Sequence, residues 1–381
     1  MTQRPKKTSA RTPATTAPDA ARPSADGRPD ADGTTAAGLR YPCGEPPEHG
    51  HGREIAPGVR WLRMHLPWTL AHINLYALDD GEGWALVDTG AQTREALAGW
   101  TRLLAAPDAL AGRPPTRVLC THMHPDHVGM AGWLTRRFDV RLWMTRLEYL
   151  SCRSLVADTG REAPDDAIRF YRHAGWNDEA IETYRVRFGG FGRMVHALPD
   201  SFRRLRDGEP VRIGDHDWRV IVGHGHSPEH ACLLCDERKL LLSGDQVLPR
   251  ISSNVSVFPT EPDANPLADW LESLAKLRAD VSDDVLVLPS HGEPFHGLHA
   301  RLDRLTGGHL RSLERLRRGL GEGPKRVIDC FGALFARMIE GPELLGMATG
   351  ETLAHLNYLL ARGEIARETG ADGVWRYHRV A

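Results

Sequence analysis

The sequence predicts an α+β protein whose strands deliver polar side chains to a common edge. Three observations predict it. Short apolar runs with strand character recur between residues 55 and 297, and several end in His or Asp. Segments with apolar residues at helical spacing lie between them. One run, Thr116 to Thr121, leads directly into His122-Met123-His124-Pro125-Asp126-His127, a pattern of the form H-x-H-x-D-H.

Taken in chain order, residues 1–50 are expected to form a disordered tail. Met1 to Arg40 is rich in Ala, Thr, Pro, Asp and Arg and nearly devoid of large apolar residues. Such a stretch cannot bury enough surface to offset chain entropy. It has no apolar core of a secretory signal, and Asp19, Asp26, Asp30 and Asp32 argue against a transit peptide. The folded chain is expected to begin near Ile55. Val59 to Leu66 and His72 to Leu78 alternate as strands, Asp79 to Gly83 turns, and Trp84 to Asp88 is the next strand. Ala96, Leu97, Trp100, Leu103 and Leu104 give 93–105 a helical face. A helix over 129–138 and a strand over 141–144 come after the His-rich segment.

Residues 146–205 form a helical insertion, with helices over 146–157, 165–174 and 178–187; Asn177 caps the last. Placed between two polar motifs, the insertion is expected to overhang the site. Tyr171, Trp176, Tyr184, Phe188 and Phe191 either line the pocket there or hold the insertion in place, and holding is favoured. Strands are expected over 218–222, 231–235, 240–244 and 285–289. Residues 308–381 read as a separate small domain, with helices over 309–320, 327–339 and 350–362 and a hairpin from 363 to 378.

Composition bounds the function. A chain of 381 residues implies two to three domains, and 41% hydrophobic with 26% charged residues is ordinary for a water-soluble fold. A net charge of −2 gives no overall attraction to nucleic acid or anionic lipid. No apolar stretch has the length of a membrane span, so a membrane partner is not expected. The six cysteines are scattered and do not read as a disulfide framework, which suits a cytoplasmic location. Cys232 and Cys235 form a lone C-x-x-C inside a strand, where residues three apart face opposite sides; core packing is the better account.

The H-x-H-x-D-H segment carries the chemistry. Imidazole and carboxylate are ligands for Zn and similar first-row metals. In an extended segment residues two apart point the same way, so His122 and His124 can meet on one ion. A turn can carry Asp126 and His127 towards a second. Further ligand types stand at other strand ends: the segment His224-Gly-His226-Ser-Pro-Glu-His230, Asp245 after Leu240 to Gly244, and His291 after Val285 to Ser290. Strand ends are rigid on one side and open on the other, which suits a pre-positioned site.

These residues, together with Val87-Asp88-Thr89-Gly90, resemble the metallo-β-lactamase-fold superfamily in order and spacing over residues 55–297. The resemblance implies a four-layer αβ/βα sandwich with two metals at one edge. It implies that His122, His124 and His226 hold one metal and that Asp126, His127 and His291 hold the other. Asp245 would bridge them, and Asp88 would support the site from behind. The family's His, three residues, His pattern selects His226; His224 falls before it as a local hydrogen-bonding residue. His230 is favoured as a buried histidine opening the next strand. The C-terminal segment around Thr352 to Ile365 is similar to the winged-helix domain of some lactamase-like endoribonucleases. Its interspersed acids favour a buttress or an oligomer contact over nucleic-acid binding.

Such a site is expected to make the protein a hydrolase using a hydroxide shared by two divalent ions, with Asp126 and Asp245 as the catalytic carboxylates. Zn is the default metal, and Fe or Mn suits the same ligands. The expected substrate is an ester or thioester of a small acyl compound. A phosphodiester, as in an endoribonuclease, and a non-catalytic metal-binding scaffold are the alternatives; a β-lactamase is not expected. Arg250, leaving the edge just after Asp245, is a candidate for a substrate carboxylate or phosphate, or else a structural Arg. Self-association is left open.

Overall fold

The computed structural model describes residue 35 and residues 38–380 other than 108. Two sheets form its centre. The first is seven-stranded, in sequence order: β1 (His51–Ala56), β2 (Val59–His65), β3 (His72–Asp79), β4 (Trp84–Val87), β5 (Pro115–Leu119), β6 (Leu142–Met144) and β7 (Arg203–Arg204). The helices along this half are α1 (Arg94–Ala105), α2 (Pro125–Val128), α3 (Ala131–Phe138) and the insertion helices α4 (Arg146–Ala157), α5 (Asp165–His173) and α6 (Asp178–Arg187). The second sheet comprises β8 (Pro210–Ile213), β9 (His216–Gly223), β10 (His230–Cys235), β11 (Leu240–Gly244) and β12 (Leu286–Pro289), in the order β12-β11-β10-β9-β8. Between β11 and β12 runs α7 (Pro266–Asp280). The chain ends with α8 (Leu298–Leu320), α9 (Phe331–Leu334), α10 (Pro342–Ala361) and the hairpin β13 (Ile365–Thr369) and β14 (Trp375–Arg379).

Alternation in the strands decides the layers. Val59 and Trp61 on β2, Tyr76 and Leu78 on β3, and Trp218, Val220 and Val222 on β9 are buried in one cluster between the sheets. The other face of the first sheet packs Leu62, Met64, Ile73 and Leu75 against Trp100, Leu103 and Leu134 of α1 and α3. The other face of the second packs Ile221, Leu234 and Leu241 against Trp270, Leu274, Leu302 and Leu305 of α7 and α8. Helix, sheet, sheet, helix is the four-layer αβ/βα sandwich, and the α+β expectation holds.

Several boundaries differ from expectation. Residues 1–34, the larger part of the expected tail, lie outside the described residues. From Gly38 onwards the chain is packed: Leu39 is buried, Arg40 bridges to His296, and Gly50 donates to the Arg63 carbonyl. Leu39 and Tyr41 supply the apolar anchors that the preceding stretch lacks. The ordered chain thus starts well before Ile55. The helix expected over 327–339 shrinks to one short turn and α9, because only Val327 and Cys330 are buried along it. Without a packed face a helix that short does not propagate. Conversely, α8 runs unbroken through 300–308. Leu298, Leu302, Leu305, His309, Leu313, Leu316 and Leu320 keep one buried stripe across Gly307 and Gly308.

Candidate metal centre

The His and Asp side chains converge because β4, β5, β9, β11 and β12 all end at one edge. After β5 the chain bears His122 and His124, then turns into α2, whose first turn carries Asp126 and His127. His226 follows β9, Asp245 follows β11 and His291 follows β12. Gly244 makes the last approach feasible. It adopts φ +51, and a Cβ there would lie 2.5 Å from His230 Nε2.

Two groups of ligand atoms result. His122 Nε2 stands 2.8 Å from His124 Nδ1, which stands 3.1 Å from His226 Nε2. In the second group, Asp126 Oδ2 is 3.2 Å from His291 Nε2 and 3.6 Å from His127 Nε2. Asp245 lies between the groups. Its Oδ2 is 3.5 Å from His226 Nε2, and its Oδ1 is 3.5 Å from both His127 Nε2 and His291 Nε2. Atoms on a tetrahedral ion at about 2.0–2.1 Å stand about 3.3–3.4 Å apart; the second group is close to that spacing and the first is tighter, so its rings would spread slightly around a cation. His127 Nε2, His291 Nε2 and Asp245 Oδ1 are buried without a hydrogen-bond partner among the described residues. Buried polar atoms are ordinarily satisfied, and a cation would satisfy all three.

The residues behind the ligands fix their tautomers. His127 Nδ1 donates to Asp88 Oδ2 at 2.8 Å, His226 Nδ1 to the Asn254 carbonyl at 2.8 Å, and His291 Nδ1 to the His72 carbonyl at 2.8 Å. Each bond engages Nδ1 and turns Nε2 towards the groups as the nitrogen available to a metal. Asp88, in left-handed backbone at φ 61, also accepts the Thr121 N–H at 2.8 Å and the Thr121 hydroxyl at 2.9 Å. It thereby ties the strand end to the His127 ring. Asp245 is aimed by its own N–H, which donates to His230 Nε2 at 3.0 Å.

Electrostatics separates the groups. Burial, with the neighbouring imidazoles, pulls His122 well below its usual range and His124 down to about 3. Both therefore present free lone pairs at neutral pH. At His127 burial acts the same way, but Asp126, Asp88 and Asp245 outweigh it and raise the value. Burial likewise opposes ionisation of Asp245, yet His291 and His127 hold it well below the carboxylate range.

Glu148, near the start of α4, has no signature in the sequence. It is fully buried and accepts three bonds: from Met123 N–H at 2.9 Å, Ser227 hydroxyl at 2.6 Å and Glu229 N–H at 2.8 Å. One carboxylate thus pins the His122–His124 loop to the His226 loop. His224 bonds locally to the Pro228 carbonyl, and His230 is buried at the head of β10. Arg250 is engaged by Glu293 at 3.2 and 3.3 Å and lies over the Tyr41 ring. Tyr171, Trp176, Tyr184 and Phe188 stack on one another and hold the insertion to α10, with Trp176 Nε1 donating to Thr349 at 2.9 Å. Phe191 packs in the core beneath the first sheet.

Residues 68–291 match the family model of the metallo-beta-lactamase superfamily. The chain belongs to that superfamily. Residues 313–380 match the model of a metallo-beta-lactamase-like C-terminal domain. Among solved structures, a beta-lactamase domain protein from Burkholderia ambifaria is 42% identical with a TM-score of 0.82, covering 90% of this chain and 98% of its own. A "Probable metallo-hydrolase YqjP" of Bacillus subtilis is 26% identical, over 80% of this chain and 92% of its own length. The chicken "Acyl-coenzyme A thioesterase MBLAC2" is 25% identical, over 68% of this chain and 85% of its own. This superfamily member is a metal-dependent hydrolase; its fold implies divalent ions, and the His and Asp groups described above could hold them.

Proposed function

We propose that the protein hydrolyses a thioester, or a related ester, of a small acyl compound at a two-ion centre. The observation that carries the reading is Asp245, which turns one oxygen to each ligand group. His122, His124 and His226 would hold one ion, Asp126, His127 and His291 the other, and Asp245 both; zinc is the first choice. Bound there, the ions would polarise the substrate carbonyl and lower the pKa of water. The chain itself does the positioning. Asp126 is the more open of the two carboxylates, with a side chain 14% exposed against 11% for Asp245. As a ligand at the open side it would orient the attacking water. The thioester preference is supported by the likeness to the acyl-coenzyme A thioesterase and by the near-neutral net charge of −2. Residues from about 308 to 381 would act as a buttress.

The test compares initial rates of metal-loaded protein on an acyl thioester and on an activated phosphodiester, with His124→Ala as blank. Thioester turnover that vanishes in the blank is expected. Phosphodiester turnover alone would replace the reading with a nuclease, and no turnover of either would leave it without support.

A further inference from the structure

The inward face of the β2–β3 hairpin changes character along its length. The register pairs Val59 with Leu78, Trp61 with Tyr76, Arg63 with Asn74 and His65 with His72. Side chains two apart share a face, so all eight look the same way. The first four belong to the apolar core between the sheets. The last four mark the end of the hairpin that reaches the metal edge. There Asn74 Nδ2 donates to the Pro289 and Gly292 carbonyls at 2.9 and 2.7 Å. His72 Nε2 accepts the Gly292 N–H at 3.3 Å, and its ring lies 6.1 Å from that of His291. His49 adds a third imidazole, 5.4 Å from His65.

One guanidinium and three imidazoles therefore gather at the end of the hairpin beside His291, with Arg63 near enough to act electrostatically on both His49 and His72. Arg63 is half-buried, and among the described residues its side chain has no hydrogen bond or ion pair. Glu293 is near enough to act on it electrostatically, but that carboxylate is held by Arg250. Burial pulls Arg63 below its usual range, and the Glu293 carboxylate offsets this only in part. A half-desolvated guanidinium at this position is costly unless an anion completes it. Arg also presents a planar fork suited to carboxylate and phosphate oxygens.

We propose that Arg63, with His49, His65 and His72, binds an oxyanion group carried by the substrate, a carboxylate or a phosphate, on the His291 side of the metal centre. The proposal rests on the thioesterase reading and narrows its substrate to an anionic one.

The experiment uses the metal-loaded full chain, Arg63→Met and Arg63→Lys. Substrates are the butyryl and succinyl thioesters of N-acetylcysteamine and the butyryl thioester of phosphopantetheine. At least one anionic thioester should exceed the neutral one in kcat/KM, and Arg63→Met should cut that preference about tenfold or more, as loss of a charged hydrogen bond does. Arg63→Lys should keep part of it. Preference for succinyl identifies a carboxylate; preference for the phosphopantetheine ester identifies a phosphate. An equal preference in wild type and Arg63→Met overturns the proposal, as does loss of bound metal in Arg63→Met, which would make Arg63 a structural prop. If no thioester is turned over, the function fails and calorimetric titration with glutarate and inorganic phosphate decides the anion site. Affinity about tenfold weaker in Arg63→Met for either anion supports it, and affinity unchanged by the substitution for both anions refutes it.

Discussion

At the residue scale, the ligands matter less as single side chains than as rings held by fixed partners. Asp88 sets the His127 tautomer and is itself set by Thr121. Replacing Asp88 by Asn keeps the shape but removes the charge that favours the Nδ1–H tautomer. Metal affinity should fall about 10–100-fold, as for partners of this kind elsewhere, and competition with a chelator would measure it. The candidate ligands were legible because the chain places His122, His124, Asp126 and His127 within six residues. Their partners were not. Asn254 and His72 act through main-chain carbonyls, which any residue possesses, so side-chain identity carries no signal. Glu148 is one acid in a helix of mixed charge, and only the fold brings it to Met123 and Ser227.

At the element scale, α4 serves as a clamp. Thr145, at its N-cap, donates to the Glu229 carbonyl at 2.7 Å, and Leu147 N–H donates to the Glu229 carboxylate at 2.9 Å. With Glu148 these contacts bind the helix start to the His226 loop. Glu148→Leu should strand the buried Met123 N–H and Ser227 hydroxyl at a cost of about 1–3 kcal/mol each, read from urea denaturation. It should also weaken binding of the ion assigned to His122, His124 and His226 more than the other. Glu148→Gln should restore part of both, since its amide oxygen still accepts; equal loss in Gln and Leu would show that packing, not hydrogen bonding, is at stake. Strands such as β2 and β3 were readable from alternation, and α1 and α4 to α6 from apolar spacing. α8 begins well before the expected 309 because burial on both sides of Gly307 and Gly308 carries the helix across them. The expected helix over 327–339 failed for the opposite reason, having apolar residues but no surface to bury them.

At the scale of the whole molecule, the C-terminal residues share a core with the second sheet. Leu353, Leu356, Leu359, Trp375 and Tyr377 lie in one cluster with Ile221, Leu234 and Trp270. The contact reaches the metal edge: Asn254 Nδ2 donates to Glu351 at 2.9 Å while the Asn254 carbonyl holds His226. Ending the chain before α10 would expose this core and release Glu351. Such a truncation should be insoluble, or should unfold far below the full chain in a thermal scan. Glu351 also sets a pH dependence. Burial pushes its carboxyl up to about 7, against the Asn254 hydrogen bond that lowers it. The folded state then holds a proton that the unfolded state releases above about 4.3. This contribution is present at low pH and is lost as pH rises towards 7, because the unfolded chain binds fewer protons. Glu351→Gln should flatten that part of the stability–pH curve between pH 5 and 8; an unchanged slope would rule Glu351 out as its source.

The most direct test counts metal ions per chain in zinc-loaded protein by elemental analysis, beside Asp245→Ala. Two ions per wild-type chain and fewer than two in the variant are predicted. One ion or none in wild type, or two retained without Asp245, would contradict a centre shared through that carboxylate.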